Sequence, residues 1–163
     1  MKLSKRLIGM MVFVLVLTLS VAAPVSAANT QDNDIINFTF PSSTHYVVSK
    51  DVKENTTPLY VLIQNINNGE TGIYCKAYGY DAESDFKGNF TMYNGKYVTE
   101  VLIFEGVKYS VRSGIYERLH GQGTCYAAPA FRCSYVFPNE TIYHGKWSPD
   151  STRVYTVAQE APN

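Results

Sequence analysis

The sequence predicts an all-β fold, an antiparallel β-sandwich or open barrel, behind a removable leader. Three observations carry this expectation. Apolar and polar residues alternate with a period of two along several short runs. Turn residues recur about every 8 to 12 positions, as in sandwiches and barrels. No window carries the stripe of a long helix, and glycine and proline interrupt the chain too often to allow one.

Lys2, Lys5 and Arg6 open the chain with positive charge, an apolar run covers 7–23, and Pro24-Val25-Ser26-Ala27 follows. Small residues at Val25 and Ala27 place signal-peptidase cleavage after Ala27. The rival is an uncleaved anchor, since the 19 residues 7–25 are just long enough to span a bilayer. Thr18, Ser20 and Pro24 interrupt that run, and a good cleavage site stands at the right distance. No second run of that length follows, so no stable membrane insertion is expected after cleavage. The expected organisation is a signal peptide over 1–27, a flexible polar arm over 28–36 and a single β domain over 37–163.

Of 163 residues, 14 are basic and 14 acidic. Without the three leader cations, 136 residues carry 11 basic and 14 acidic groups, a net charge of −3. No nucleic-acid partner is expected, because such binding draws on clustered Lys and Arg that release counterions. The composition is also too apolar for a disordered chain.

Strand signals follow in order. The run 59–64, Leu-Tyr-Val-Leu-Ile-Gln, follows Pro58 and ends at Asn67-Asn68-Gly69. The run 72–80 alternates, with Ile73, Cys75 and Ala77 on one face and Tyr74, Lys76, Tyr78 and Tyr80 on the other. These two runs are expected to form a hairpin. A second hairpin is expected from 90–93 and 96–104 around Asn94-Gly95, whose residue types suit a turn with two positive φ angles. Further strands are expected at 108–111, 115–119, 123–127, 131–137 and 153–157.

Export makes disulfides the natural reading of Cys75, Cys125 and Cys133. Three cysteines allow one intramolecular bridge. The segment from Cys125 to Cys133 is symmetric about Pro129, and as a hairpin it would set the two thiols face to face. Cys125–Cys133 is therefore the expected bridge, worth about 2–3 kcal/mol in the chain-entropy model. Pairing of Cys75 with either of them closes a longer loop, and three buried thiols are a further alternative.

Candidate chemistry is sparse. Asp81, Glu83 and Asp85 have the spacing that opens a calcium loop, but Phe86 replaces the glycine and Met92 the closing glutamate. A solvated acidic turn explains them better. His45, His120 and His144 share no metal-ligand spacing, so no metal and no cofactor are expected. His120 precedes Cys125 by five residues, and Glu100, Glu105 and Glu117 supply carboxylates, but nothing in the sequence fixes either group as a catalytic pair. Asn37, Asn55, Asn89 and Asn139 begin Asn-x-Ser/Thr sites, which matter only in a glycosylating host. All 13 tyrosines follow the leader. Most suit half-buried strands, but Tyr74, Tyr78 and Tyr80 share the face opposite the apolar one and can form an exposed binding strip.

One set of segments carries a resemblance. Lys50-Asp51 precedes Thr57-Pro58-Leu59-Tyr60-Val61. Lys76-Ala77-Tyr78-Gly79 follows, then Tyr109-Ser110-Val111-Arg112-Ser113-Gly114-Ile115-Tyr116-Glu117, and last Gly145-Lys146-Trp147-Ser148-Pro149-Asp150-Ser151. In this order they resemble a family of small exported Gram-positive bacterial proteins, a domain of unknown function that ends in Trp-Ser-Pro-Asp-Ser. The chain departs from it by continuing past Ser151 and by its His120-Gly121-Gln122-Gly123 stretch. The resemblance implies a bacterial host and a place outside the cell or in its envelope, with no established activity. Read from the residues alone, the terminal segment is structural. Trp147 caps the core, Pro149 fixes φ in a tight turn, and Asp150 bonds backbone beyond it.

The expected function is non-enzymatic binding of an extracellular or cell-wall partner. A bacteriocin-like antagonistic protein and a secreted hydrolase are the alternatives. Mass spectrometry of the secreted protein is expected to show a chain beginning at Ala28; an intact leader would refute the cleavage site.

Overall fold

The computed structural model describes residues 28–40, 45–66, 72–81, 85–133 and 140–161. The expected signal peptide lies outside the described residues. The fold is all-β, two packed sheets without a closed barrel, and its only α-helix among the described residues is one turn long, continued by a 3₁₀ turn at His120–Gln122. The first sheet runs β1 (Asn33–Phe40), β12 (Glu140–Ser148), β4 (Leu59–Ile66), β10 (Lys108–Val111) and β13 (Thr156–Val157). The second runs β14 (Gln159–Glu160), β9 (Val101–Phe104), β5 (Gly72–Asp81), β11 (Cys125–Cys133) and β2 (Tyr46–Val47). In that sheet β3 (Asp51–Val52) also pairs with β11, and β6 (Asp85–Asn89) with β5. The pairs are antiparallel except β10–β13, which is parallel.

β4 and β5 do not form the expected hairpin. They lie in different sheets, β4 between β12 and β10, and β5 between β11 and the β9 and β6 pair. Each run carries apolar residues enough to be a central strand, and the chain crosses from one sheet to the other between them. Leu59, Val61 and Ile63, with Trp147 of the neighbouring β12, join Ile73, Cys75, Ile103 and Phe131 of the second sheet in one core cluster. The second hairpin forms only at its tip, between β7 (Met92–Tyr93) and β8 (Lys96–Tyr97). Asn94 (φ 47°) and Gly95 (φ 77°) make the turn the Asn-Gly pair specifies. β9 then leaves for the second sheet.

Residues 115–119 are the helix α1 (Ile115–Leu119) instead of a strand. Ile115 and Leu119 are both buried, four residues apart and on one helical face. Five residues are too few to show that period in a sequence. The arm over 28–36 is also not loose. Its last four residues begin β1, Ile35 is 2% exposed, and Asn33 pairs in register with Trp147.

The largest correction concerns the cysteines. Residues 125–133 form one unbroken strand, paired throughout with β5 from Cys125↔Asp81 to Cys133↔Ile73. Eight steps of about 3.3 Å separate its ends, whereas a disulfide needs Cα atoms within about 7 Å. A Cys125–Cys133 bridge within the chain is thereby excluded. Cys125 and Cys75 are free thiols, both buried. Burial raises the Cys75 thiol far above the ordinary range, and the Cys125 thiol is raised for the same reason. Pro129, read as the tip of a hairpin, passes through the strand because of its neighbour. Its carbonyl accepts from Val48 N at 3.2 Å, so its ring nitrogen faces the same edge. There the companion strand is interrupted between β2 and β3, and no ladder donor is missed.

A buried ion pair ties segments far apart in the chain to the core. Lys53 Nζ donates to Asp150 Oδ1 at 2.5 Å, Thr57 O at 2.6 Å and Pro149 O at 2.7 Å, which uses all three ammonium protons. Asp150 Oδ2 accepts from Asn29 N at 3.0 Å and Glu54 N at 2.9 Å. Both side chains are 0% exposed. Burial lowers the Lys53 pKa, with Asp150 opposing that shift. Asp150 thus bonds backbone far away in sequence, not the residues just beyond it as the turn reading expected. Ser148 Oγ closes the local turn by donating to Asp150 O at 2.8 Å. Trp147 is wholly buried within the core cluster, and its Nε1 has no hydrogen-bond partner among the described residues.

Removing one partner of such a pair leaves an uncompensated buried charge, at a cost of about 3–5 kcal/mol. Asp150→Ala is therefore expected to lose most of the stability of the fold in urea denaturation. The double variant Lys53→Met/Asp150→Leu, which buries no charge, should recover a large part of it. Equal losses in the two would show that charge burial is not the cause.

Candidate functional site

The outer face of the second sheet concentrates the polar chemistry. β5 alternates as its sequence dictates: Ile73, Cys75 and Ala77 are buried against the first sheet, and Tyr74, Lys76, Tyr78 and Tyr80 point outward, half-buried. Register with β11 sets Arg132 beside Tyr74, Ala130 beside Lys76, Ala128 beside Tyr78 and Tyr126 beside Tyr80. Ala128 and Ala130 are fully buried on this side. Between large neighbours they leave the tyrosine rings room to lie along the sheet.

Two groups of residues stand on this face. At one end Phe86, from β6, meets Tyr78 edge-on at 4.9 Å and Tyr80 at 5.5 Å between ring centroids. Phe86 is 51% exposed, and Lys50 Nζ lies 5.2 Å from the Tyr80 centroid. Edge-to-face rings and cations over rings are attractive through the quadrupole of the aromatic face. Burial raises the phenol pKa of both Tyr78 and Tyr80, which keeps their O–H groups as donors at neutral pH.

At the other end Glu100, 7% exposed, is gripped at two points by Arg132, through Nε at 3.0 Å and through the terminal nitrogen. The same guanidinium stacks over Tyr74, 4.0 Å from its centroid. His45 Nε2 lies 2.9 Å from Glu100 Oε2 but is not aligned as a hydrogen bond. Burial and the nearby Lys76 lower the His45 pKa from 6.5 to about 4, against the pull of Glu100, so the ring is neutral at pH 7. Lys76 is lowered too, again by burial first. The cluster therefore holds two cations, one carboxylate and a neutral imidazole beside tyrosine rings. It can stack against a flat apolar ligand face and donate hydrogen bonds to anionic oxygens.

The remaining sequence candidates do not converge. Glu105 Oε2 accepts from Ile66 N at 3.2 Å at the end of β4, while Glu117 is exposed on α1. His120 stacks on Tyr116 with centroids 4.4 Å apart, and its Nδ1 lies 2.7 Å from Tyr116 O. Cys125 Sγ instead donates to Lys53 O at 3.2 Å inside the fold. Asp81 and Asp85 both hold Lys87 Nζ, at 2.9 and 2.7 Å, and Glu83 lies outside the described residues. No cluster of three potential metal ligands occurs among the described residues. Asn89 Nδ2 donates to Val98 O and Thr99 O, which occupies the atom a glycan would take.

Sequence reasoning put the three tyrosines on one face, weighed Glu100 only as a hydrolase carboxylate and His45 only as a metal ligand, and so missed both for this face, together with Lys50, Phe86 and Arg132. Alternation shows which residues of one strand share a face. It does not show which strands lie side by side, and all five missed residues come from outside β5. The class of protein defined here is an all-β sandwich with an aromatic and cationic outer face. Comparisons with protein-family models, with curated proteins and with solved structures found no match.

In the window from pH 6.5 down to about 4 the unfolded chain binds a proton at His45 that the folded chain rejects. Acid therefore erodes the stability in that window, and no further loss comes from His45 below it. His45→Gln is expected to flatten the decline of stability with falling pH, measured by urea denaturation at pH 7, 5.5 and 4. Parallel pH profiles for parent and variant would refute the assignment.

Proposed function

We propose that the protein acts outside the cell as a non-enzymatic binding protein and that the outer face of the second sheet is its contact surface. The single observation that carries this reading is the row of Tyr74, Tyr78 and Tyr80 on one face, extended by Phe86 and flanked by Lys50, Lys76 and Arg132. Aromatic rings provide large contact area at small entropic cost, and arginine and tyrosine are the residue types that dominate binding hot spots. Glu100 offsets one of these three cations, Arg132, so the face favours a partner that carries acidic groups. The leader sequence and the resemblance of the Trp-Ser-Pro-Asp-Ser segment support an extracellular or cell-wall setting for that partner.

The test is co-sedimentation with purified Gram-positive cell walls. Tyr78→Ala and Phe86→Ala are expected to reduce the bound fraction several-fold. Each should lower stability by about 0.5–1.5 kcal/mol for the lost ring pair, with a further cost for the half-buried apolar area removed, and leave the fold intact. Binding that is absent in the parent, or undiminished in both variants, would sink the proposal.

A further inference from the structure

A second concavity opens at the edge of the first sheet, and it shares no residue with the aromatic face. It encloses about 340 Å³, inside the range of about 300–1,000 Å³ common to small-molecule sites. Arg112 and Ser113, just past β10, form one wall. Their position is fixed by backbone bonds to the start of β7 and the residue two before it: Met92 N donates to Arg112 O at 2.9 Å and Gly114 N to Phe90 O at 3.0 Å. Glu117 of α1 and Val157 of β13 line the same space. A smaller hollow of about 230 Å³ adjoins it and shares Arg112 and Val157.

Three features of this groove ask for a ligand. Arg112 and Glu117 are exposed and opposite in charge, yet they pair neither with each other nor with any other charged side chain among the described residues. Ser113 is 5% exposed, and its Oγ has no hydrogen-bond partner among the described residues. Buried hydroxyls are nearly always satisfied, so this one, within the groove wall, has a hydrogen bond to give to a ligand atom once its side chain turns outward. Lastly, the lining includes Val154 at 89% exposure and Val157 at 42%, apolar surface with nothing over it.

We propose that this groove binds a short peptide by its free ends. The Arg112 guanidinium forks onto the terminal carboxylate, the geometry for which arginine is suited. Glu117 takes the terminal ammonium, Ser113 Oγ a backbone polar group, and the valines an apolar side chain. A ligand with both charges meets both unpaired side chains; a simple anion would leave Glu117 opposing it.

The dipeptide alanyl-leucine, titrated into the purified protein and followed by amide NMR shifts, tests this. We expect shifts at Arg112, Ser113, Glu117 and Val157 that saturate with added peptide. N-acetylation or C-terminal amidation of the peptide should each weaken binding at least tenfold. Glu117→Gln should lose sensitivity to acetylation and Arg112→Gln sensitivity to amidation, with unchanged thermal melts because both positions are exposed. Absence of saturable shifts, shifts confined to the tyrosine face, or equal binding of free and blocked peptides would overturn the proposal. None of these results depends on cell-wall binding by the aromatic face.

Discussion

The contact between Lys53 and Asp150 is the constraint on which the remainder of the architecture rests. An ammonium and a carboxylate without solvent are stable together only when every proton and lone pair finds a partner. Here the partners come from three segments: Asn29 at the start of the described residues, Glu54 and Thr57 after β3, and Pro149 after β12. Satisfying one charge pair thus fixes where the N-terminal arm, the entry to β4 and the exit from β12 must meet. Trp147 and Ser148 are held beside it in β12, paired with Val61 and Tyr60 of β4. The Trp-Ser-Pro-Asp-Ser segment is in this sense a clamp, and its residue types follow from what the clamp must bond.

From that clamp the second sheet takes its position as well. Lys53 N donates to Cys125 O at 2.9 Å, and Cys125 Sγ to Lys53 O, so the buried lysine also pins the first residue of β11. β11 then runs along β5 for nine paired residues. That long ladder divides two environments. Ile73, Cys75, Ala77 and Phe131 close the core on one side, while Tyr74, Tyr78 and Arg132 build the candidate contact surface on the other. Core and surface are two faces of the same pairing.

Several elements were legible in the sequence because short-range physics decides them. The period of two along 72–80 sorted the tyrosines from the apolar residues correctly, and Asn94-Gly95 marked its turn by the φ angles those residues accept. Residues 108–111 form β10 with the boundaries the run suggests. Others were misread for a shared reason. The 59–64 and 72–80 runs look like hairpin partners when sequence distance stands in for spatial distance, yet each is a central strand in its own sheet. Cys125 and Cys133 look like facing thiols only if Pro129 breaks the strand. It does not, because the neighbouring strand is already interrupted at that edge. Lys53 drew no notice, since a lone lysine carries no periodic signal and its importance comes wholly from Asp150, 97 residues away.

By itself, then, the sequence determined the all-β class, which residues of β5 lie together on one side, and the tight turn at Asn94-Gly95. These depend on side-chain alternation and on the φ preferences of single residues, which neighbours in sequence suffice to express. The tertiary structure alone decided the strand order, the free state of Cys75 and Cys125, the burial of Lys53 against Asp150, and the gathering of His45, Glu100 and Arg132 beside Tyr74. Each of these joins segments far apart in the chain, and the energy of such a contact exists only once the strands between them have been paired and the charges taken out of water.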